Sequence, residues 1–287
     1  AAHFGVSIGT IRKAVDSLVA QGALVRRQGK GTFVTSHDGR RLMFHFFHVV
    51  GADGAKVYPE VRTVSFERGR ADAAESEALA IARDLLLAEE SGAHVHFRQV
   101  TTERGLDLIR AAKAKGLRIT CGITPGHLFL SDNAVSDFRT FAHLSPPLRS
   151  ESDRLACIAA IADGTIDVIA SGHDPRGPED KRLPFSESAP GMAGAETLLA
   201  LSLNLVRDNV ISTGRMFELL ASNPAKILGL NAGHIVEGQE ADLILIDPDA
   251  PWQVDGDRMA ALAGNTPFDR LPVQGRVRHM LKGGKVV

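Results

Sequence analysis

The stretch that decides the fold is HVHFRQVTTERGLDLIRAAKAKGLRITCGI, residues 94–123. It opens with an extended apolar run at 94–100 and continues from Glu103 to Lys115 with apolar residues at helical spacing. Gly116 interrupts that spacing, and a second short apolar run follows from Arg118 to Ile123. A strand, a helix and a strand in this order predict a β-α-β unit with parallel strands.

The same alternation continues on both sides of this stretch. An amphipathic helix is predicted from Glu75 to Gly92, and a further helix, strand and two helices are predicted at 151–163, 166–171, 193–209 and 214–229. The fold class is therefore α/β, and this alternation predicts part of a (β/α)8 barrel over residues 75–230. Short strands and turns over residues 231–287 predict a small β tail appended to the barrel.

The first segment of the chain has a different pattern. Residues 7–21, SIGTIRKAVDSLVAQ, have helical periodicity, and residues 23–35, ALVRRQGKGTFVT, read as a hairpin around Gln28–Gly31. A helix followed by a basic hairpin predicts a winged helix-turn-helix at residues 1–37. Residues 1–5 read as the middle of a helix, so we expect part of this domain to be missing.

Charge is distributed unevenly between the two segments. Through Arg70 the chain has eleven Lys and Arg against five Asp and Glu, a net charge of +6, and the remainder carries −7, since the whole chain carries −1. A basic first segment followed by an acidic second segment is typical of a nucleic-acid-binding module joined to another domain.

Composition excludes several classes of protein. The 287 residues are 44% hydrophobic and 23% charged, which is typical of a globular protein. The two cysteines, Cys121 and Cys157, lie in apolar segments without CxxC spacing and are interpreted as buried small hydrophobes rather than a disulfide pair. No apolar run approaches a membrane span and no signal pattern opens the chain, so we expect a cytoplasmic protein with no membrane contact.

The first segment resembles the GntR family of regulators, of the HutC type, through VSIGTIRKAVDSLVAQG and RRQGKGTFV. The resemblance implies DNA binding by the helix and by the wing, through Ser7, Thr10, Arg12, Lys13, Arg26, Arg27 and Lys30. Ile8 stands where the family usually has a basic residue, so we expect weak, mostly electrostatic binding. Residues 41–70 resemble the start of a UTRA effector domain, which gives a UTRA-like fragment at 38–74.

The second segment resembles the dihydroorotase branch of the cyclic amidohydrolases. The motifs that carry the resemblance are RDLLLAEESGAHVHFRQVTTERG, LSPPLR, SGHDPRGPEDKRLPF, PGMAGAETLLAL and EGQEADLILIDPD. The resemblance implies reversible cyclisation of carbamoyl aspartate to dihydroorotate, zinc that activates water, and an Asp that serves as acid and base.

The positions that match the family's metal centre carry other residues in this chain. Gln99 and Gly126 stand at two ligand positions, Gly172 stands at the acid/base position, and the chain begins after the family's His-x-His motif. We therefore expect zinc, which the family implies, not to be bound. A mononuclear metal site built from His127, His173 and Asp174 is the alternative, with His173 and Asp174 as the candidate catalytic residues.

The substrate-binding positions of the family are partly kept. Ser145 replaces an Asn and Arg176 replaces a His, while Pro190 and Gly191 match a loop whose backbone contacts the substrate. The equally weighted alternative is that these motifs are turns and helix starts that hold the barrel together.

Three hypotheses remain open. The first is a catalytically lapsed dihydroorotase relative, of the kind that serves as a structural partner of aspartate transcarbamoylase. The second is an active dihydroorotase with unusual metal ligands. The third is a transcription regulator whose C-terminal part comes from another protein family. Because part of a barrel leaves strand edges unpaired, we also expect self-association.

Overall fold

The computed structural model describes residues 13, 15–17, 19, 24–27, 31–34 and 73–287. The chain divides into two compact units, Ala1–Val64 and Ser65–Val287. In the first unit residues 13, 15–17 and 19 are helical, and strand β1 (Leu24–Arg27) pairs antiparallel with β2 (Gly31–Val34). The hairpin predicted around Gln28–Gly31 is confirmed.

Several predictions for the first unit lie outside the described residues. Lys13 is an exposed helical residue. Ser7, Thr10, Arg12, Lys30 and the UTRA-like stretch up to residue 72 are not among the described positions, and neither are the side chains of Arg26 and Arg27. Their assignment to DNA binding remains a prediction.

The second unit is built on a three-stranded parallel sheet. Its strands are β3 (Val95–Phe97), β4 (Ile119–Ile123) and β5 (Val168–Ile169), in that order across the sheet. Val95 pairs with Ile119 and Gly122 pairs with Val168. Helices α1 (Ala73–Ser91), α2 (Glu103–Ala114) and α4 (Glu151–Ala162) lie in the connections before and between these strands, which is the β-α-β arrangement that the sequence predicts.

The main core lies between these helices and the sheet. Leu106, Ile109, Ile123 and Ile161 are buried there, and so are the two free cysteines, Cys121 and Cys157. Removing a Leu or Ile side chain from water contributes roughly 1.5–3 kcal/mol, so this cluster is a principal source of stability. Burial also raises the pKa of both thiols to about 12, as expected of cysteines that act as small hydrophobes.

Local capping explains where two of the helices begin. The hydroxyl of Thr102 accepts a hydrogen bond from the Gly105 amide at the start of α2, and that of Ser150 accepts from the Asp153 amide at the start of α4. Each cap satisfies an amide that has no partner inside its own helix. The end of α2 is set by Gly116, which has a φ of 82°.

Five further helices, all of ten residues or fewer, complete the described part of the second unit. They are α3 (Pro125–Phe129), α5 (Pro178–Lys181), α6 (Leu198–Arg207), α7 (Thr213–Phe217) and α8 (Asn223–Ile227), with a π turn at Glu218–Ser222. Short 3-10 turns occur at Asp132–Val135, Thr140–Ala142 and Gly256–Arg258. None of the helices in the described part of the chain has both the length and the apolar character needed to cross a bilayer.

The C-terminal residues form a separate antiparallel sheet. Strand β7 (Pro272–Lys282) pairs with β6 (Leu243–Gln253) on one side and with β8 (Lys285–Val286) on the other. The predicted β tail is therefore present. The chain enters β7 through residues 267–272, which lie beside α6 and line a cavity with it.

Candidate active site

A cavity of about 450 Å³ lies at the carboxyl ends of the three parallel strands. Arg98 and Gln99 follow β3, Thr124 follows β4 and Ala170 follows β5, so the ends of all three strands contribute to the cavity. In parallel β/α folds this is the face where ligands bind. The other lining residues come from α3 and the loops around it: His127, Leu144, Ser145, Ser171, Gly172, His173, Asp174, Gly191 and Met192.

The imidazole of His127 is fully occupied by protein atoms. Its Nε2 lies 2.9 Å from the carbonyl oxygen of Pro146, to which it must donate, and its Nδ1 lies 2.8 Å from the Thr124 hydroxyl. Because a carbonyl only accepts, Nδ1 is left as the acceptor from Thr124. Burial lowers the pKa of His127, which favours this neutral form. Neither ring nitrogen is left for a metal.

The two glycines at family positions of the metal centre are packed against neighbouring side chains. A Cβ atom on Gly126 would lie 2.8 Å from Cδ1 of Leu144 and 3.3 Å from Cε of Met192. A Cβ atom on Gly172, whose φ is 61°, would lie 2.9 Å from Cγ2 of Thr124 and 3.3 Å from the same Met192 carbon. A side chain at either position would therefore require Leu144, Thr124 or Met192 to shift.

His173 and Asp174 lie at the exposed side of the cavity. Nδ1 of His173 accepts a hydrogen bond of 3.3 Å from the Ala195 amide. Oδ2 of Asp174 accepts from the guanidinium of Arg176 at 2.7 Å, and the two side chains form an exposed ion pair. The structure thus brings both residues to the cavity. One atom of each side chain, Nδ1 of His173 and Oδ2 of Asp174, already accepts a hydrogen bond from the protein.

Arg176 braces the loop that borders the cavity and is not among the lining residues. Its Nε donates to the Pro190 carbonyl at 2.9 Å, and its backbone amide donates to Oδ1 of Asn265 at 2.8 Å. Nδ2 of Asn265 donates in turn to the carbonyl of Gly191 at 3.0 Å. Ser145 and Gly191 do line the cavity, whereas Pro190 is not among its lining residues.

A zinc centre needs three or four His, Cys, Asp or Glu donors about 2.0–2.3 Å from the ion. Among the residues that the structure describes, no three such side chains come together in a way that holds a metal ion. His127 is committed to Thr124 and Pro146, and Asp174 is committed to Arg176. The residues present do not fit the metal that the family implies.

A buried ion pair that sequence reasoning missed fixes the loop after β3. The carboxylate of Glu77, on α1, accepts from the backbone amides and hydroxyls of Thr101 and Thr102 at 2.5–2.9 Å. Arg149 donates to Glu77 at 3.1 Å and to the Thr101 hydroxyl at 2.9 Å. This loop presents Arg98 and Gln99 to the cavity. Arg149 is part of the LSPPLR motif, but only the fold shows its partner.

Parallel β/α units whose strand ends line a cavity are the repeating unit of (β/α)8 barrels, which place their ligand site on that face. The profile described as Amidohydrolase family matches residues 40–287, and the chain belongs to the amidohydrolase family. A second profile, described as Bacterial regulatory proteins, gntR family, matches residues 1–34. The first match runs through the stretch that sequence analysis assigns to a UTRA-like fragment, so that fragment and its boundaries remain predictions.

Within this family the chain is dihydroorotase-like. It is 41% identical over 213 residues to the dihydroorotase of Anaplasma phagocytophilum (strain HZ), covering 74% of this chain and 48% of that protein. It is 42% identical over 212 residues to that of Geobacter metallireducens, covering 74% and 50%. It is 39% identical over 209 residues to a dihydroorotase-like protein of Pseudomonas aeruginosa, covering 73% and 49%. The chain spans about half the length of the curated relatives it matches.

Solved structures agree on the fold. The L-hydantoinase (dihydropyrimidinase) from Arthrobacter aurescens superposes with a TM-score of 0.70 at 29% identity, covering 76% of this chain and 52% of that one. The dihydropyrimidinase from Brevibacillus agri superposes with a TM-score of 0.70 at 24% identity, over 75% and 49% of the two chains. The predicted α/β fold related to an amidohydrolase barrel is confirmed at this level.

Proposed function

We propose that this chain is a dihydroorotase-like amidohydrolase domain that holds no catalytic metal and does not turn over cyclic amides. One observation carries the proposal: Gly126 and Gly172 provide no side chain, and a Cβ atom at either position would meet Leu144, Thr124 or Met192 within 3.3 Å. A catalytic zinc site needs an open coordination position and ligands held by their own hydrogen bonds. The atoms nearest to the two glycine positions are instead apolar carbons of Leu144, Thr124 and Met192.

The side chains at the family positions support the same proposal. Gln99 stands at a ligand position, and a carboxamide is a poor zinc donor compared with imidazole. Gly172 offers no carboxylate to exchange a proton with a reacting water. A domain of this kind acts through binding, and aspartate transcarbamoylase is the candidate partner that the resemblance implies.

The alternative is an active amidohydrolase with a rebuilt mononuclear site at His127, His173 and Asp174. The test is turnover of dihydroorotate and of carbamoyl aspartate by the full chain at saturating zinc, in parallel with H173A and D174N variants. We expect no turnover above that of buffer with zinc. Turnover that disappears in H173A or D174N establishes a rebuilt site and rejects the proposal.

A second function is proposed for the first unit, because the gntR profile matches residues 1–34 and residues 1–70 carry a charge of +6. We propose that this segment binds DNA weakly and mainly through phosphates. Such binding weakens steeply as the salt concentration rises, because the counterions that the protein displaces from the DNA are then released with a smaller gain of free energy. The slope is roughly −0.9 per phosphate contact in a double-logarithmic plot.

Fluorescence anisotropy with duplex DNA at several salt concentrations tests this second proposal. We expect R12A to weaken binding more than R62A, a basic residue outside the predicted helix and wing. Tight binding to one duplex that is insensitive to salt, or equal effects of the two variants, contradicts it.

A further inference from the structure

A second cavity, of about 550 Å³, lies away from the site described above and shares no lining residue with it. It is an open cavity lined by the end of α3, by α6 and by the segment that leads into β7. The wall combines apolar and polar surface, and its volume is within the range of small-molecule pockets, roughly 300–1,000 Å³. The apolar lining consists of Phe129, Leu130, Leu201, Pro267, Phe268, Leu271 and Pro272.

The polar groups of this cavity have a net positive charge. Two arginines, Arg139 and Arg270, and one carboxylate, Asp269, line it. Nη2 of Arg139 donates to the carbonyl of Pro267 at 2.8 Å, which fixes this guanidinium against the cavity wall. Asp269 accepts from the Gly256 amide at 2.9 Å through Oδ1, so the acid is already engaged by the backbone.

The second guanidinium, that of Arg270, forms two ion pairs within residues 73–287, both longer than a hydrogen bond. Its nearest carboxylate oxygens belong to Asp269, at 3.6 Å, and to Asp255, at 4.0 Å, and its side chain is 62% exposed. On helix α6, Oδ1 of Asn204 accepts from Arg207, and its Nδ2 donates no hydrogen bond within the described part of the chain. The cavity thus offers hydrogen-bond donors to an anion.

A positive φ occurs at Arg270 and at the residue before Arg139. Three described residues other than glycine have a positive φ, and two of them are Phe138, which directly precedes Arg139, and Arg270 itself, at 60° and 66°. Such conformations cost about 1–3 kcal/mol each and cluster at ligand sites. The amide of Arg270 donates to the Val254 carbonyl at 2.9 Å, which holds the strained backbone in place.

We propose that this second cavity binds a small molecule with an aromatic or aliphatic body and a single carboxylate, held between Arg139 and Arg270. The apolar wall takes the body, the two guanidinium groups take the carboxylate, and the carboxamide of Asn204 adds a donor. Charge-assisted hydrogen bonds from Arg to a carboxylate give such a site its preference for an anion. The proposal does not depend on the metal content or activity of the first site.

Calorimetric titration of the full chain with 2-naphthoate and with its neutral isostere 2-naphthamide tests this proposal. We expect the naphthoate to bind about tenfold more tightly than the amide, as one charge-assisted hydrogen bond provides. R270N should reduce that preference, because Asn tolerates the left-handed backbone but lacks the guanidinium, while Arg139 remains. N204F should weaken the binding of both probes, because the larger Phe side chain would fill the cavity from α6.

The matched control is R276N, since Arg276 lies over the Trp252 ring and not in the cavity. It should bind both probes as the parent chain does. Equal affinity of the parent chain for the two probes overturns the proposal, and so does a preference that R270N leaves unchanged. Loss of the preference in R98Q instead of R270N places the anion in the first cavity and also overturns it.

Discussion

At the scale of single residues, Gly126 and Gly172 decide what the first cavity can hold. Each is in contact range of Met192, and each lacks the side chain that metal chemistry needs at its position. The nearby Thr124 has two roles, because its hydroxyl donates to His127 while its methyl group closes the space at Gly172. A single restored side chain therefore meets both steric and hydrogen-bonding obstacles.

The variant G172D tests this steric argument. We expect it to destabilise the chain, since its Cβ approaches Thr124 and Met192 and since the φ of 61° disfavours a side chain. The matched control is G92D, because Gly92 has a φ of 66° and nothing within 4 Å of its Cβ position. We predict a loss of about 1 kcal/mol for G92D from backbone strain, and a further ~1–3 kcal/mol for G172D from overpacking.

Urea unfolding of both variants gives the two values. The steric argument is wrong if G172D unfolds at the same urea concentration as G92D. Zinc taken up by G172D but not by the parent chain would also contradict it.

Lys181 gives a prediction about pH. It is 3% exposed, and its ammonium donates to the carbonyls of Thr140 and His143 at 3.0 and 3.3 Å. Burial lowers the pKa of Lys181 from 10.5 to about 8. Between these two values the unfolded chain binds more protons than the folded chain, so the free energy of unfolding should rise with pH in this window.

Chemical unfolding at several pH values between 8 and 10.5 checks this prediction. The rise should be absent in K181M and retained in K226M, whose lysine is exposed. Parallel stability curves for the parent chain and K181M across this range would show that the lysine is not perturbed.

At the scale of elements, α1 positions the end of β3 through Glu77. The side chains of Arg149 and Glu77 are 9% and 11% exposed, and the carboxylate also binds the loop that starts α2. The ion pair therefore connects three parts of the fold: helix α1, the loop after β3, and the loop before α4. It is a structural determinant of where Gln99 and Arg98 lie.

Removal of one member of this pair should be costly. We predict that E77A lowers the free energy of unfolding by about 3–5 kcal/mol, because it leaves a buried guanidinium without its partner. E77Q should fall between E77A and the parent chain, since it keeps one acceptor oxygen. The control on the same helix is E89A, whose exposed pair with Lys115 spans 3.7 Å and should contribute under about 1 kcal/mol. Equal effects of E77A and E89A would contradict this role.

The elements that the sequence predicts well are those specified by neighbouring residues. Helix α2 begins and ends as expected because its apolar period, the Thr102 cap and Gly116 are all local signals. Strand β5 was predicted over 166–171 and is only Val168–Ile169, because strand pairing depends on a partner far along the chain. Helix α3 was missed because Pro125-Gly126 reads as a turn, although proline also favours the first turn of a helix.

The candidate site was predictable only in part for the same reason. Motif order places Gln99, Gly126 and Gly172, and the cavity contains Gln99 and Gly172 beside His173 and Asp174. The packing of Leu144 and Met192 on Gly126 joins residues 18 and 66 positions away in the sequence, so no local pattern reveals it. Arg176 was assigned to substrate, and the structure shows its guanidinium bound to Asp174 and Pro190.

At the scale of the whole molecule, the chain combines an amidohydrolase unit with a gntR-matching segment, and the amidohydrolase unit carries two separate cavities. The first lies where the family performs its chemistry, and its donors do not form a metal site. The second is amphipathic and lies between α6 and the segment before β7. The proposal that the unit binds molecules without converting a cyclic amide rests on the first of these cavities.

The most direct test of the central claim is zinc stoichiometry. The full chain and its H173A variant are dialysed to equilibrium against zinc, and bound metal is measured by elemental analysis. His173 has the most accessible imidazole at the cavity, so a zinc ion held there would depend on it. Because we propose that the cavity holds no zinc, we predict the same zinc content for both proteins. One tightly bound zinc per chain that is lost in H173A would contradict it.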